Sequence, residues 1–257
     1  MNQSIIQGIG NSMRYWANFI CSVKRQKIIN EGSIKYGTSE YLVANESLEP
    51  GRSHVMATPK IEKVEFEKTH EIFERRRTDL FLQVSSESNI TNAYFEFKYL
   101  RTPLQRSEIN RYINDFLRLA SLIKYDKQCE CFFMLVGIQT EISNILSGST
   151  SYVDASNADR STENIKSGNT IDDSDVKKCL TLCNNEPKSL IIKDLTYTEK
   201  GLKKSHLERF KNEYKYRDTI KDELQIKDTD TIQFELKYPS GEYGNDKIGV
   251  YIWQIKT

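Results

Sequence analysis

Thr78-Asp79-Leu80-Phe81-Leu82-Gln83-Val84 and, beyond the polar stretch from Ser85 to Asn89, Ala93-Tyr94-Phe95-Glu96-Phe97-Lys98-Tyr99-Leu100 are the segments on which the fold turns. Both are rich in the branched and aromatic residues that suit a pleated surface, and the polar stretch between them suits a turn, so together they predict a hairpin. Alternation along the second strand sends Phe95, Phe97 and Tyr99 to one face and Glu96 and Lys98 to the other. A hairpin that sets Asp79 beside Glu96 gathers two carboxylates and an ammonium on backbone stiffened by apolar neighbours. Such a cluster is costly to bury unless it is used.

The pattern extends in both directions. Upstream, Ile5, Ile6, Ile9, Met13, Trp16 and Ile20 recur at helical spacing within the first 27 residues. A short helix is expected from Thr38 to about Leu48, capped by Thr38 or Ser39, with Glu40 in its first turn. Ile61, Val64 and Phe66 mark a strand before the hairpin. Downstream, Ile109, Ile113, Phe116, Leu117, Ala120 and Ile123 give a helix over 107–124, and Cys131 to Val136 is an unbroken apolar run of the kind found in a strand covered on both faces. Three meandering strands, a helix and a buried strand predict an α/β fold, a mixed central sheet flanked by helices.

Residues 147–175 turn to Ser, Thr, Asn, Asp and Gly and read as an insertion. Beyond it lie a short strand at 189–192, a charged helix expected from about Glu199 to Leu224, and strands at 231–238 and 247–256 separated by Pro239-Ser240-Gly241. The organisation expected is an N-terminal helical segment over 1–37, a core over 38–140, an insertion over 141–188, and a C-terminal part over 189–257 that completes the sheet or forms an accessory lobe.

An Asp at a strand start, a hairpin and Glu-x-Lys on the next strand resemble the PD-(D/E)XK nuclease superfamily, here as Thr78-Asp79 and Phe95-Glu96-Phe97-Lys98. Thr78 stands where that motif carries proline. The resemblance covers roughly residues 38–137 and implies a restriction-endonuclease-like core. It implies a reaction centre of Asp79, Glu96 and Lys98, with Asp79, Glu96, the Phe97 carbonyl and Glu40 as ligands of Mg²⁺ or Mn²⁺. Hard oxygen ligands of this kind suit Mg²⁺, which polarises a phosphodiester and acidifies a bound water. The expected activity is phosphodiester hydrolysis, with DNA the first substrate and RNA the alternative; the competing reading is a catalytically inactive nuclease-like fold that binds nucleic acid or protein.

Other features narrow the function. Thirty-seven Lys and Arg against 36 Asp and Glu leave a net charge of +1, so any polyanion site must be a local patch. Around the motif basic residues exceed acidic ones, and Arg77, Arg101, Arg106 and Arg111 are the candidate phosphate contacts, with Arg106 and Arg111 toward the anion-attracting start of the helix. His54, His70 and His206 are too scattered for a histidine-based centre, and no phosphate-cradling glycine loop is present. Cys129 and Cys131 sit in an apolar strand-like run that points both thiols to one face, the spacing of Cys179 and Cys183 is not that of a zinc knuckle, and an odd count of 5 cysteines fits reduced thiols. With neither a signal-peptide pattern nor a long apolar run, the expected location is cytoplasmic, away from membrane. A homodimer remains open. Phe234-Glu235-Leu236-Lys237-Tyr238 nearly repeats the motif pentapeptide but has no strand-borne Asp at hairpin distance, and serves as an internal control.

Overall fold

A computed structural model describes residues 3–24, 29–46, 60–86, 89–100, 106–146, 188–199, 202–239 and 247–257. The 147–175 insertion, Arg101, Cys179 and Cys183 lie outside the described residues. In chain order the elements are α1 (Gln3–Ser22), α2 (Glu31–Glu46), β1 (Lys60–Thr69), β2 (Arg77–Ser86), β3 (Asn89–Leu100), α3 (Arg106–Tyr125), β4 (Glu130–Ile138), α4 (Gln139–Leu146), β5 (Lys188–Ile191), β6 (Thr196–Glu199), β7 (Leu202–Ser205), α5 (His206–Glu213), β8 (Thr231–Tyr238) and β9 (Ile248–Lys256).

Seven strands form one mixed sheet in the order β1-β2-β3-β4-β9-β8-β5. Strands β1, β2 and β3 meander antiparallel, and α3 carries the chain across so that β4 lies parallel to β3. The C-terminal strands β9 and β8, with β5, extend the same sheet beyond β4. The chain is thus α/β, with helices on both faces of a mixed sheet.

Each face has its own core. Leu80, Leu82, Phe95, Phe97, Phe132, Met134 and Val136 pack against Ile5, Ile6, Ile9 and Met13 of α1 and Ile34 and Leu42 of α2. On the opposite face Phe81, Tyr94, Cys131, Phe133 and Leu135 meet Tyr112, Phe116, Leu117 and Ala120 of α3 together with Leu207 and Phe210 of α5. The period-two alternation expected of the hairpin is therefore present, and β4 is apolar from Cys131 to Val136 because both of its faces are covered there. Helices α1 and α2 approach closely at glycine: a Cβ on Gly8 would fall 2.1 Å from the Tyr41 ring. Among the described residues no helix is long and apolar enough to cross a membrane.

Two local readings are corrected. Helix α2 starts at Glu31, well before Thr38, because Asn30 caps it: the Asn30 side chain accepts the Ser33 amide at 3.0 Å and the Ser33 hydroxyl accepts the Asn30 amide at 2.7 Å. The long helix expected over 199–224 is instead the β6–β7 hairpin followed by α5, which Ser205 caps. That helix stops at Glu213 because Tyr214 and Tyr216 turn inward onto Phe73, with Tyr216 and Phe73 forming a backbone bridge.

Candidate functional site

The register of three strands brings acidic residues into a row. Phe66 faces Leu80 and Lys68 faces Thr78, so Glu67 lies opposite Asp79 on β1. Leu80 faces Phe95, and one further step of the same register sets Asp79 opposite Glu96 on β3. Directly opposed residues have Cβ atoms about 5 Å apart, within reach of shared chemistry. Asp79 Oδ2 accepts the Phe97 amide at 2.7 Å, which ties the head of β2 to β3 beside Glu96. Glu67 has a left-handed backbone, φ 54°, a local irregularity in β1 at the row itself.

Two helices add charge from either side. From α3, Arg118 reaches Glu96 Oε2 at 2.6 Å and also pairs with Asp115, one turn earlier on the same helix. Asp115 lies 3.0 Å from Lys98 Nζ, whose other partner is Glu31 at the start of α2, at 2.5 Å. One turn on from Glu31, Lys35 contacts Asp79 Oδ1 at 3.0 Å and Glu67 Oε1. The cluster runs from solvent inward, with Glu67 and Glu31 at the rim, 45% and 42% exposed, and Glu96 at the floor, 2% exposed.

Electrostatics follow from that gradient. Burial pushes the Glu96 carboxyl well above the usual carboxylate range; Asp115 and Asp79 push the same way, while Arg118 and Lys98 oppose them. Among the described residues its buried Oε1 has no hydrogen-bond partner. Burial alone would lower the Lys98 ammonium, but Asp115, Glu31, Asp79 and Glu96 outweigh it and raise it above the ordinary lysine value, so Lys98 is a firmly protonated cation. Arg118 behaves in the same way, with burial overcome by Glu96 and Asp115.

The candidate residues thus divide. Asp79, Glu96, Phe97 and Lys98 come together; the Phe97 contact is its amide to Asp79, and its ring lies in the core of the other face. Glu40 stands apart, exposed on α2 and engaged with the Tyr36 hydroxyl, and Glu31 is the α2 acid that reaches the cluster. The misplaced start of α2 is the reason: the signal that identifies Glu31 is the reciprocal Asn30-x-x-Ser33 cap. Arg77 and Arg111 are exposed, Arg77 beside the cluster through its carbonyl, which accepts Arg118 Nη1 at 3.3 Å. Arg101 lies outside the described residues, as does the Arg106 side chain. Sequence reading missed Lys35 and Glu67 and counted Asp115 and Arg118 only as local charge. The available signal was a charged pair three residues apart on a helix that Ile113, Phe116, Leu117 and Ala120 mark as packed on the sheet.

The control pentapeptide is different in kind. Glu235 is flanked by Lys237 and Lys256, each at 2.6 Å, and hydrogen bonds from these two lysines pull its carboxyl below the usual range. It is a surface ion triad without a strand-borne Asp. Cys129 and Cys131 lie with sulfurs 3.9 Å apart, both buried, and burial pushes the Cys131 thiol well up.

In comparison with known proteins, no family model, no curated protein and no solved structure matches the chain.

Five carboxyl groups, from Glu31, Glu67, Asp79, Glu96 and Asp115, are linked to three cations, Lys35, Lys98 and Arg118. Among the described residues no three acidic, histidine or cysteine side chains stand ready to hold a metal ion. Lys35 and Arg118 already engage carboxylate oxygens that such an ion would share, while Glu96 Oε1 is left open.

Proposed function

We propose that the chain is a metal-dependent nuclease of the PD-(D/E)XK type that hydrolyses phosphodiester bonds, with DNA as the first substrate. The observation that carries this reading is the row formed by Asp79 and Glu96 on adjacent strands, with Lys98 two residues on from Glu96, on the same face. The order of elements, α2, three meandering strands, α3 and a parallel β4, supports it as a restriction-endonuclease-like core.

In this reading Asp79, Glu96 through Oε1 and the Phe97 carbonyl hold Mg²⁺ or Mn²⁺. When bound, that ion supplies Lewis-acid polarisation and a water of lowered pKa. Arg118 holds Glu96 by its other oxygen and favours the ionised carboxylate against burial. Lys98, fixed by Asp115 and Glu31, acts as a protonated donor to the phosphate oxygens where charge develops, and does not serve as a general base. Arg77 and Arg111, both exposed, would meet flanking phosphates.

One observation favours the second reading, an inactive fold that binds nucleic acid or protein: Lys35, Lys98 and Arg118 are all already paired with carboxylates. Purified protein with supercoiled plasmid and with a structured RNA, in Mg²⁺ or Mn²⁺ and in EDTA, separates the two. Metal-dependent cleavage is the result expected of the nuclease. Binding without cleavage in any metal is the result expected of the second reading.

A further inference from the structure

Lys35 is the member of this cluster best placed to leave it. Its ammonium lies between Glu67 and Asp79, which face each other across β1 and β2. One Asp79 oxygen accepts the Phe97 amide, and Lys35 holds the other, the one not tied to the neighbouring strand. Next along the row, Glu96 Oε1 is buried and, among the described residues, has no hydrogen-bond partner. Lys98 is clamped by carboxylates from two helices and is only 12% exposed, whereas the Lys35 side chain is 21% exposed on a flexible stem.

We propose that Lys35 is the resident counter-ion of the centre: it holds Glu67 and Asp79 until a divalent cation displaces it, and its freed ammonium then binds a phosphate of the substrate. The proposal rests on the nuclease reading and adds Glu67 and Lys35 to it. A divalent ion carries twice the charge and sits about 2.1 Å from its oxygens, closer than an ammonium can approach, so it competes on favourable terms for Asp79 Oδ1. Displacement couples two ligands: metal entry releases the phosphate donor, and phosphate capture keeps Lys35 away from the metal oxygens. Such coupling must be reciprocal.

Calorimetric titration of the full chain with Mn²⁺ alone tests the first half, using wild type, Lys35→Met, Lys35→Gln and, as a charge-preserving reference, Lys35→Arg. The neutral variants should bind Mn²⁺ about tenfold more tightly than wild type, and Lys35→Arg no more tightly. In saturating Mn²⁺, wild type should hold a cleavage-resistant phosphorothioate oligonucleotide at least about fivefold more tightly than Lys35→Gln. If wild type binds Mn²⁺ and both neutral variants bind it equally or more weakly, Lys35 is a staple between α2 and the sheet and the proposal fails while the metal reading stands. Tighter Mn²⁺ with unchanged oligonucleotide affinity overturns the phosphate role. If wild type binds no Mn²⁺ at millimolar concentration, the metal reading and this proposal fall together.

Discussion

Glu96 sits at the floor of the cluster, where burial makes its charge expensive and Arg118 makes it tolerable. Its raised pKa has a definite sign in stability. Above the ordinary carboxylate value of about 4.3 the unfolded chain has released this proton while the folded chain still holds it, so raising the pH toward the folded value weakens the fold. Glu96→Gln removes that dependence. Its stability advantage over wild type should grow with pH through this window, by at most about 1.4 kcal/mol per unit, in urea unfolding at a series of pH values. An unchanging difference would show that Glu96 is already ionised throughout. Lys98 bears the opposite burden. Because Asp115 and Glu31 both lean on it, truncation to Ala disturbs the fold as well as the chemistry, and Lys98→Met, which keeps the stem, is the cleaner test. At this scale the sequence made the strand-borne residues legible, because alternation fixes which side chains share a face. Lys35 and Glu67 stayed hidden, since their roles depend on a helix start and on a strand register that no single-residue pattern reveals.

At the scale of elements, α3 is what turns a strand motif into a charge cluster. Asp115 and Arg118 project from one turn, so the helix holds Glu96 and Lys98 together. Replacing one member of a buried charge pair leaves the others uncompensated. Arg118→Met should therefore cost about 3–5 kcal/mol in chemical denaturation, and a loss under 1 kcal/mol would mean that the guanidinium is well hydrated. The connection from His70 to Arg76 docks on the segment after α5, with Phe73 among Phe210, Tyr214 and Tyr216 and the Arg76 guanidinium over Tyr214. Burial, with Arg118 and Arg217 nearby, lowers the His70 imidazole from 6.5 to about 3. Here the unfolded chain takes up the proton first, so stability is lost as pH falls from about 6.5 toward 3, at up to about 1.4 kcal/mol per unit. His70→Leu should flatten this acid limb by removing the titrating ring, whose nitrogens have no hydrogen-bond partner to lose among the described residues. Thermal melts at pH 7 and pH 5 check it: the variant gains on wild type at pH 5, or the shift is not carried by His70. Helical periodicity located α3 well, but the charged run after Glu199 imitated a helix that aromatic burial of Tyr214 and Tyr216 cuts short.

For the molecule as a whole, the long sheet explains how a centre can rest at the head of one hairpin. β9, β8 and β5 continue the sheet past β4, so the motif strands are anchored on a broad core and not on an isolated layer. The near-repeat in β8 shows that a pentapeptide does not make a site: Glu235 has lysines and solvent around it where Glu96 has a second carboxylate and a buried guanidinium. Glu235→Gln with Lys237→Met should change stability by no more than about 1 kcal/mol and leave any cleavage intact. Cleavage of supercoiled plasmid by the purified full chain in Mg²⁺ or Mn²⁺, with wild type, Lys98→Met and the Glu235→Gln/Lys237→Met control side by side, separates a working nuclease from an inert fold. Metal-dependent cutting is expected of wild type and of the control, with a loss of at least about 100-fold in Lys98→Met and folding retained. No cutting of DNA or RNA by wild type in either metal, or greater dependence on the β8 pair than on Lys98, would contradict the nuclease reading.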